Sequence, residues 1–269
     1  MASTLDETID VTATRRVLIT GGTGGLGAAT AKAFARSGSR VVICGRDAAR
    51  CAAVAAALRE QTGGQIWGMA LDLAQPAQVG AVVDAAARQL DSLDVVVSAA
   101  GAPADGRFET ISPEAWQHSY AVKFFGAVEV IRSALPHIRR AGGGAIIALS
   151  GLFGREPMPG NIVSGSINAA LENFMKALAG EVAPDRIRAL TIAPGPFETQ
   201  RIRDILTRRA QDSGRHYDEV LAADIAAVPL GRFGDADEFG RFVTVLVSRA
   251  CDYLTGTTIT LDGGLRRSV

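Results

Sequence analysis

The stretch Arg16-Val-Leu-Ile-Thr-Gly-Gly-Thr-Gly-Gly-Leu-Gly-Ala28 constrains this chain more than any other. Val17, Leu18 and Ile19 form a short apolar run that reads as a buried strand. Thr20–Gly27 interrupt it with glycines, and Ala28–Arg36 continue in good helix formers. Strand, glycine turn and helix in that order suit a phosphate. The glycines permit a tight turn and close backbone approach, and the helix start presents unpaired N–H groups and a partial positive charge. The spacing Thr20-Gly21-xxx-Gly25-x-Gly27 also fits a plain glycine-rich turn, so the rest of the chain decides between the two.

The rest alternates strands with helices. Apolar runs at 40–44, 66–71, 94–98, 145–149, 187–192 and 257–261 read as six further strands. Between them lie helical stretches at about 48–61, 76–90, 112–139 and 162–183, and one opening at Asp235-Ala-Asp-Glu238, which looks like a capping box. Ser112-Pro113 reads as a cap followed by a first-turn proline. This order predicts an α/β fold: a single doubly wound parallel sheet of seven strands, a Rossmann fold with helices on both faces. Residues 15–269 form one domain, residues 1–14 are a flexible tail, and 198–226 is a polar, arginine-rich segment. In such a sheet the ligand lies beyond the carboxyl ends of the strands. Gly21–Gly27, Gly45-Arg46, Asp72, Ala100-Gly101, Ser150 and Pro194-Gly195 all fall on that rim.

Composition narrows the partners. The 28 Lys and Arg balance the 28 Asp and Glu, which argues against nucleic acid or a membrane surface as a partner. No apolar run approaches spanning length, and residues 1–14 lack an apolar signal core. Cys44, Cys51 and Cys251 are scattered, without metal-ligand spacing, so no metal is expected and the thiols read as reduced in a cytoplasmic protein.

Over residues 15–265 the chain resembles the short-chain dehydrogenase/reductase family. The resemblance rests on Thr20-Gly-Gly-Thr-Gly-Gly-Leu-Gly27, Asp72, Ser98-Ala-Ala-Gly101, Pro194-Gly195 and Leu261-Asp-Gly-Gly264 in that order. It implies nicotinamide-cofactor contacts from Gly21, Thr23, Gly24, Gly25, Leu26 and Gly27. Further contacts are implied at Arg46, Asp72, Leu73, Ala100, Gly101, Asn168, Pro194, Gly195 and Thr199. The acidic residue of NAD-preferring members is replaced by Gly45, with Arg46 next to it. A guanidinium pairs with a 2′-phosphate that a carboxylate repels, so NADP(H) is expected over NAD(H). Arg46 also reads as an ordinary solvated arginine, and Asp72 as a strand-end cap. The resemblance further implies a small-molecule substrate covered by segment 198–226 as a lid, and a homo-oligomer, a tetramer, paired through helices 112–139 and 162–183.

In the same register the catalytic positions depart from the family. Its tyrosine and lysine fall on Ser164 and Asn168, its serine on Gly151, and its asparagine on Lys123. A serine hydroxyl is a far weaker acid than a phenol, and Asn168 carries no charge. The candidates left for catalysis are Lys123, Ser150 and Ser164. Lys123 either reaches the space of the family's lysine or carries its ammonium to solvent. Tyr120 is expected in the core, and His118, His137 and His216 have no visible partner. Three functions follow: an NADP(H)-dependent oxidoreductase of a small carbonyl or hydroxyl substrate with altered proton transfer, a non-redox dehydratase, isomerase or cyclase reusing the pocket, or an inactive cofactor sensor or partner subunit.

Overall fold

The apolar runs of the sequence become neighbouring strands because each can bury both of its faces only inside a sheet covered on both sides. The computed structural model describes residues 14–101 and 103–268. The expected flexible tail, 1–14, therefore lies outside the described residues except for Thr14. In chain order the elements are β1 (Arg16–Thr20), α1 (Gly25–Arg36), β2 (Arg40–Gly45), α2 (Ala48–Thr62), β3 (Gln65–Ala70), α3 (Pro76–Gln89) and β4 (Val95–Ser98). Next come α4 (Pro113–Tyr120), a π turn (Ala121–Phe125), α5 (Gly126–Arg140), β5 (Gly144–Leu149), α6 (Ile162–Val182) and β6 (Ile187–Pro194). The chain closes with β7 (Phe197–Glu198), α7 (Gln200–Ser213), α8 (Tyr217–Ala227), β8 (Gly234–Asp235), α9 (Ala236–Leu246) and β9 (Thr258–Leu261).

Seven strands make one parallel sheet in the order β3-β2-β1-β4-β5-β6-β9. Alternate residues feed alternate cores. Val17, Ile19, Val41 and Ile43 pack with Phe34 and Phe239 beneath α1 and α9. Leu18, Val42 and Val96 pack with Val83, Val130 and Leu171 beneath α3, α5 and α6. The order reverses between β2 and β4 on either side of β1, which opens a crevice at their carboxyl ends. Thr20 registers with Cys44 on one side and Ser98 on the other, so the glycine loop emerges at that crevice.

Local signals mostly act as read. Ser112 caps α4 by accepting the Ala115 N–H, and the capping box at Asp235 and Glu238 is formed. Two expectations change and two further features appear. First, α1 begins at Gly25 rather than beyond the glycines, so the loop's last residues are the helix's own first turn. Second, the helix expected over 112–139 contains a π turn at Ala121–Phe125, an irregularity that helical periodicity does not register. Third, the arginine-rich segment is two helices with a small core of their own: Leu206, Ala210, Val220, Val228 and Phe233. Fourth, β7 and β8, each two residues long, pair as a separate ribbon.

One charged clamp ties the sheet at its amino end. Asp94 accepts the Arg16 backbone N–H at 2.9 Å and two guanidinium N–H bonds at 2.8 and 2.6 Å. Asp94 is nearly buried. Asp94→Ala strands the Arg16 donors and is expected to destabilise the fold by about 2 kcal/mol, read as a lower urea midpoint at unchanged slope; an unchanged midpoint would show the clamp idle.

Candidate functional site

The glycine loop is packed where it must be and open where a ligand would approach. A Cβ on Gly27 would lie 2.3 Å from the Gly21 carbonyl oxygen, and one on Gly21 2.8 Å from the Ala100 backbone. These positions are glycine because backbone passes backbone. Gly24 and Gly25 are exposed instead, with nothing nearer a built Cβ than Arg50 Nη2 at 3.6 Å and Thr199 Cγ2 at 3.7 Å. The α1 N-terminus has no side-chain cap and no acidic residue in its first turn. Its N–H groups are therefore left for an anion, and the residues present fit the diphosphate of a dinucleotide.

At the end of β2 the space for a side chain on residue 45 is already filled. A Cβ there would meet Thr23 Cγ2 at 2.8 Å and Cys51 Sγ at 3.2 Å. Arg46 next to it is exposed. Asp72 Oδ1 accepts the Ala74 N–H at 3.0 Å, the strand-end cap that the residue type allows. Leu73 turns its side chain into the core against Gly126. Gly195 lies against Asp262 and donates its N–H to Leu261, which holds the Pro194-Gly195 turn at the end of β6. Thr199 caps α7, accepting the Ile202 N–H, and sits over Gly25.

The buried face of α6 carries the second half of the site. Ser164, Asn168 and Glu172 are four residues apart, so they line one stripe of the helix. All three are buried, and each holds a different partner. Ser164 Oγ donates to Asp105 Oδ1. Asn168 Oδ1 accepts from Lys123 Nζ at 2.7 Å. Glu172 Oε1 accepts the Ser150 hydroxyl at 2.9 Å, and its Oε2 accepts Arg155 Nε at 2.7 Å. Lys123 also donates to the Ser150 carbonyl at 3.1 Å. Charge along the stripe therefore alternates: Asp105, Lys123, Glu172, Arg155.

Two glycines make room for this arrangement. A Cβ on Gly101, whose φ is +132°, would strike the Lys123 stem at 2.8 Å. A Cβ on Gly151 would lie 2.8 Å from Asn168 Nδ2. Burial pushes the Lys123 ammonium down from 10.5 to about 8. Arg201, at the start of α7, pushes the same way, while Asp105 and Glu172 oppose it.

Lys123 thus turns inward rather than out to solvent, and it meets both Ser150 and Asn168. Tyr120 joins the stack Trp116–Tyr120–Phe124–Phe174. His137, read from sequence as unpartnered, donates to Asp84 at 2.6 Å and accepts from Arg140. Of the arginines in 198–226, Arg209 pairs with Asp224 and Arg215 with Glu219. Sequence reasoning missed Asp105, Glu172 and Arg155. The four-residue spacing on α6 would have flagged Glu172, but nothing local points to Asp105 or Arg155. A cleft beside β9, lined by Arg155, Glu172, Lys176 and Thr258, lies away from the glycine loop. Among the described residues no set of three or more His, Cys, Asp or Glu side chains is placed to hold a metal, and no helix is long and apolar enough to cross a membrane.

A glycine-loop Rossmann sheet with a polar cluster on the helix after β5 defines a nicotinamide-dependent oxidoreductase class, and comparison with known proteins agrees. The family model for enoyl-(acyl carrier protein) reductase matches residues 21–266. The chain is 30% identical over 251 residues to the 3-oxoacyl-(acyl-carrier-protein) reductase FabG of Chlamydia trachomatis, covering 93% of this chain and 97% of that one. The L-sorbose reductase of Gluconobacter frateurii, solved with NADPH and L-sorbose, superposes with a TM-score of 0.90 at 29% identity, covering 97% of this chain and 100% of that one. An NADPH-bound short-chain oxidoreductase from Pseudomonas aeruginosa PAO1, described as having an atypical catalytic centre, gives a TM-score of 0.84 at 30% identity, covering 94% of this chain and 98% of that one. This chain belongs to the short-chain dehydrogenase/reductase family.

The buried ammonium has a thermodynamic signature. Below pH 8 both folded and unfolded chains hold the Lys123 proton, and the folded chain bears the full cost of the buried cation. Between about 8 and 10.5 only the unfolded chain holds it, so this group's contribution favours folding increasingly as pH rises. Lys123→Met removes that slope. Urea unfolding of the two proteins should diverge in favour of the native sequence across this window, and a constant difference would contradict the burial.

Proposed function

We propose that the protein is an NADP(H)-dependent oxidoreductase of a small carbonyl or hydroxyl substrate, with Lys123 facing the substrate oxygen in place of the family's tyrosine. The observation that carries this reading is the Lys123 ammonium held by Asn168 and by the Ser150 carbonyl. In this reading Gly151, Ser164, Asn168 and Lys123 occupy the family's four catalytic positions. Gly21, Thr23, Gly24, Gly25, Leu26 and Gly27 cradle the diphosphate, with Asp72, Leu73, Ala100, Gly101, Asn168, Pro194, Gly195 and Thr199 along its path. The bound nicotinamide supplies hydride transfer.

The rest falls to this chain's own side chains. Two of the three Lys123 N–H bonds are satisfied by Asn168 and Ser150, which leaves one for a substrate oxygen. With a pKa of about 8 the ammonium is mostly charged at pH 7. It stabilises negative charge as it develops on that oxygen and then delivers its proton there. Glu172 orients Ser150 from behind, and the Gly151 and Gly101 faces keep the amine and amide in place.

Cofactor choice follows from the end of β2. Thr23 and Cys51 fill the place where a carboxylate would bond ribose hydroxyls, Arg50 reaches the loop beside Gly24, and Arg46 directly after Gly45 is exposed and free to pair with a 2′-phosphate. Calorimetry should give tighter binding of NADPH than of NADH, and Arg46→Ala should narrow the gap; equal affinities would refute the preference. With carbonyl substrates, Lys123→Met should lower kcat by about 10²–10⁴ while NADPH binding persists. Reduction by the native chain should fall as pH rises through about 8, where the ammonium loses its proton. A pH-independent rate, or a silent Lys123→Met, would remove Lys123 from the chemistry.

A further inference from the structure

The Ser164–Asp105 pair sits one helical turn before the Lys123–Asn168 pair and has the opposite hydrogen-bonding character. Ser164 has a single hydroxyl hydrogen, and it is committed to Asp105 Oδ1. Toward any third group Ser164 therefore offers only lone pairs. Asp105 as a carboxylate is also an acceptor, and its Oδ2 has no hydrogen-bond partner among the described residues. Lys123 is the converse, a group of donors only. The site has an accepting pole and a donating pole about 6 Å apart along α6.

Asp105 is not needed merely to fasten its loop. The residues on either side are fastened independently. Ala104 donates its N–H to Ser119 Oγ at 3.0 Å, and Gly106 donates its N–H to the Gly160 carbonyl at 2.8 Å. The backbone on either side of Asp105 is thus held by bonds that do not use its carboxylate. Asp105 lies close enough to Lys123 for its charge to favour the ammonium. A plain ketone meets the donating pole and leaves the accepting pole without a partner, which a partly buried polar group tolerates poorly. A carbonyl with a hydroxyl on the adjacent carbon satisfies both. Its carbonyl oxygen accepts from Lys123, and its hydroxyl donates to the Asp105–Ser164 pair.

We propose that Asp105 and Ser164 form a hydroxyl-recognition subsite that selects α-hydroxy carbonyl substrates, and vicinal diols in the reverse direction. The proposal rests on the oxidoreductase reading for its reaction. In that reaction the carbonyl carbon gains a hydride, its oxygen gains a proton, and the neighbouring hydroxyl is unchanged.

The test compares 2-hydroxyacetophenone with acetophenone, using the full chain and NADPH. The native protein should prefer the hydroxy ketone by about 10²-fold in kcat/KM. Asp105→Asn places an NH₂ donor at the accepting pole and should cut that preference to about tenfold or less, through KM for the hydroxy ketone. Ser164→Ala is the second variant and should act in the same direction. Binding of both ketones to the NADPH-loaded protein is measured in parallel by titration calorimetry. Turnover of both ketones without preference, or a preference untouched by Asp105→Asn and Ser164→Ala, overturns the subsite and leaves the oxidoreductase reading standing. Absence of turnover with tighter, Asp105-dependent binding of the hydroxy ketone overturns the oxidoreductase reading and keeps the subsite. Absence of both turnover and selective binding overturns the two together.

Discussion

A lysine ammonium drawn out of water needs acceptors around it, and most of the site is arranged to meet that need. Lys123 leaves the rod of α4 and α5 at a π turn, runs its stem across Gly101 and ends between Asn168 and the Ser150 carbonyl. Burial makes the charge expensive, and the acceptors recover only part of that cost.

The four-residue spacing on α6 organises the surroundings. One stripe presents Ser164, Asn168 and Glu172 to partners from three other places: Asp105 after β4, Lys123 from the π turn, and Ser150 with Arg155 after β5. The charges alternate in sign, so each charged group is flanked by its opposite. Gly151 belongs to the same arrangement, because any side chain there would displace the Asn168 amide. Residues 101, 123, 151 and 168 are in this sense one structural decision. Changing one alone disturbs the others, and their effects should be strongly non-additive.

The glycine loop shows the same dependence at the other end of the crevice. Gly45 is bare because Thr23 and Cys51 occupy its side-chain space, so the absence of a carboxylate there is a packing fact as well as an electrostatic one. Thr199 at the start of α7 lies over Gly25 of the loop. Arg201, two residues further on, reaches Lys123 with its field. The start of α7 thus adjoins both halves of the site.

The strand runs, the glycine loop, the caps at Ser112 and Asp235 and the parallel sheet were legible in the chain, because each depends on residues close in sequence with a fixed period or turn chemistry. The motif order put Lys123, Ser164 and Asn168 in one family register, and the structure joins Lys123 to Asn168 by a hydrogen bond. The inward direction of Lys123 was not legible, since a π turn arises from packing rather than from periodicity. Asp105 and Arg155 were invisible for a related reason: their partners lie 59 and 17 residues away, and only the stacking of α6 against two loops brings them together. Sequence determined the main strands and helices of the sheet and the place of the glycine loop. Tertiary structure decided which charges face one another, because desolvation and pairing act through space and have no period along the chain.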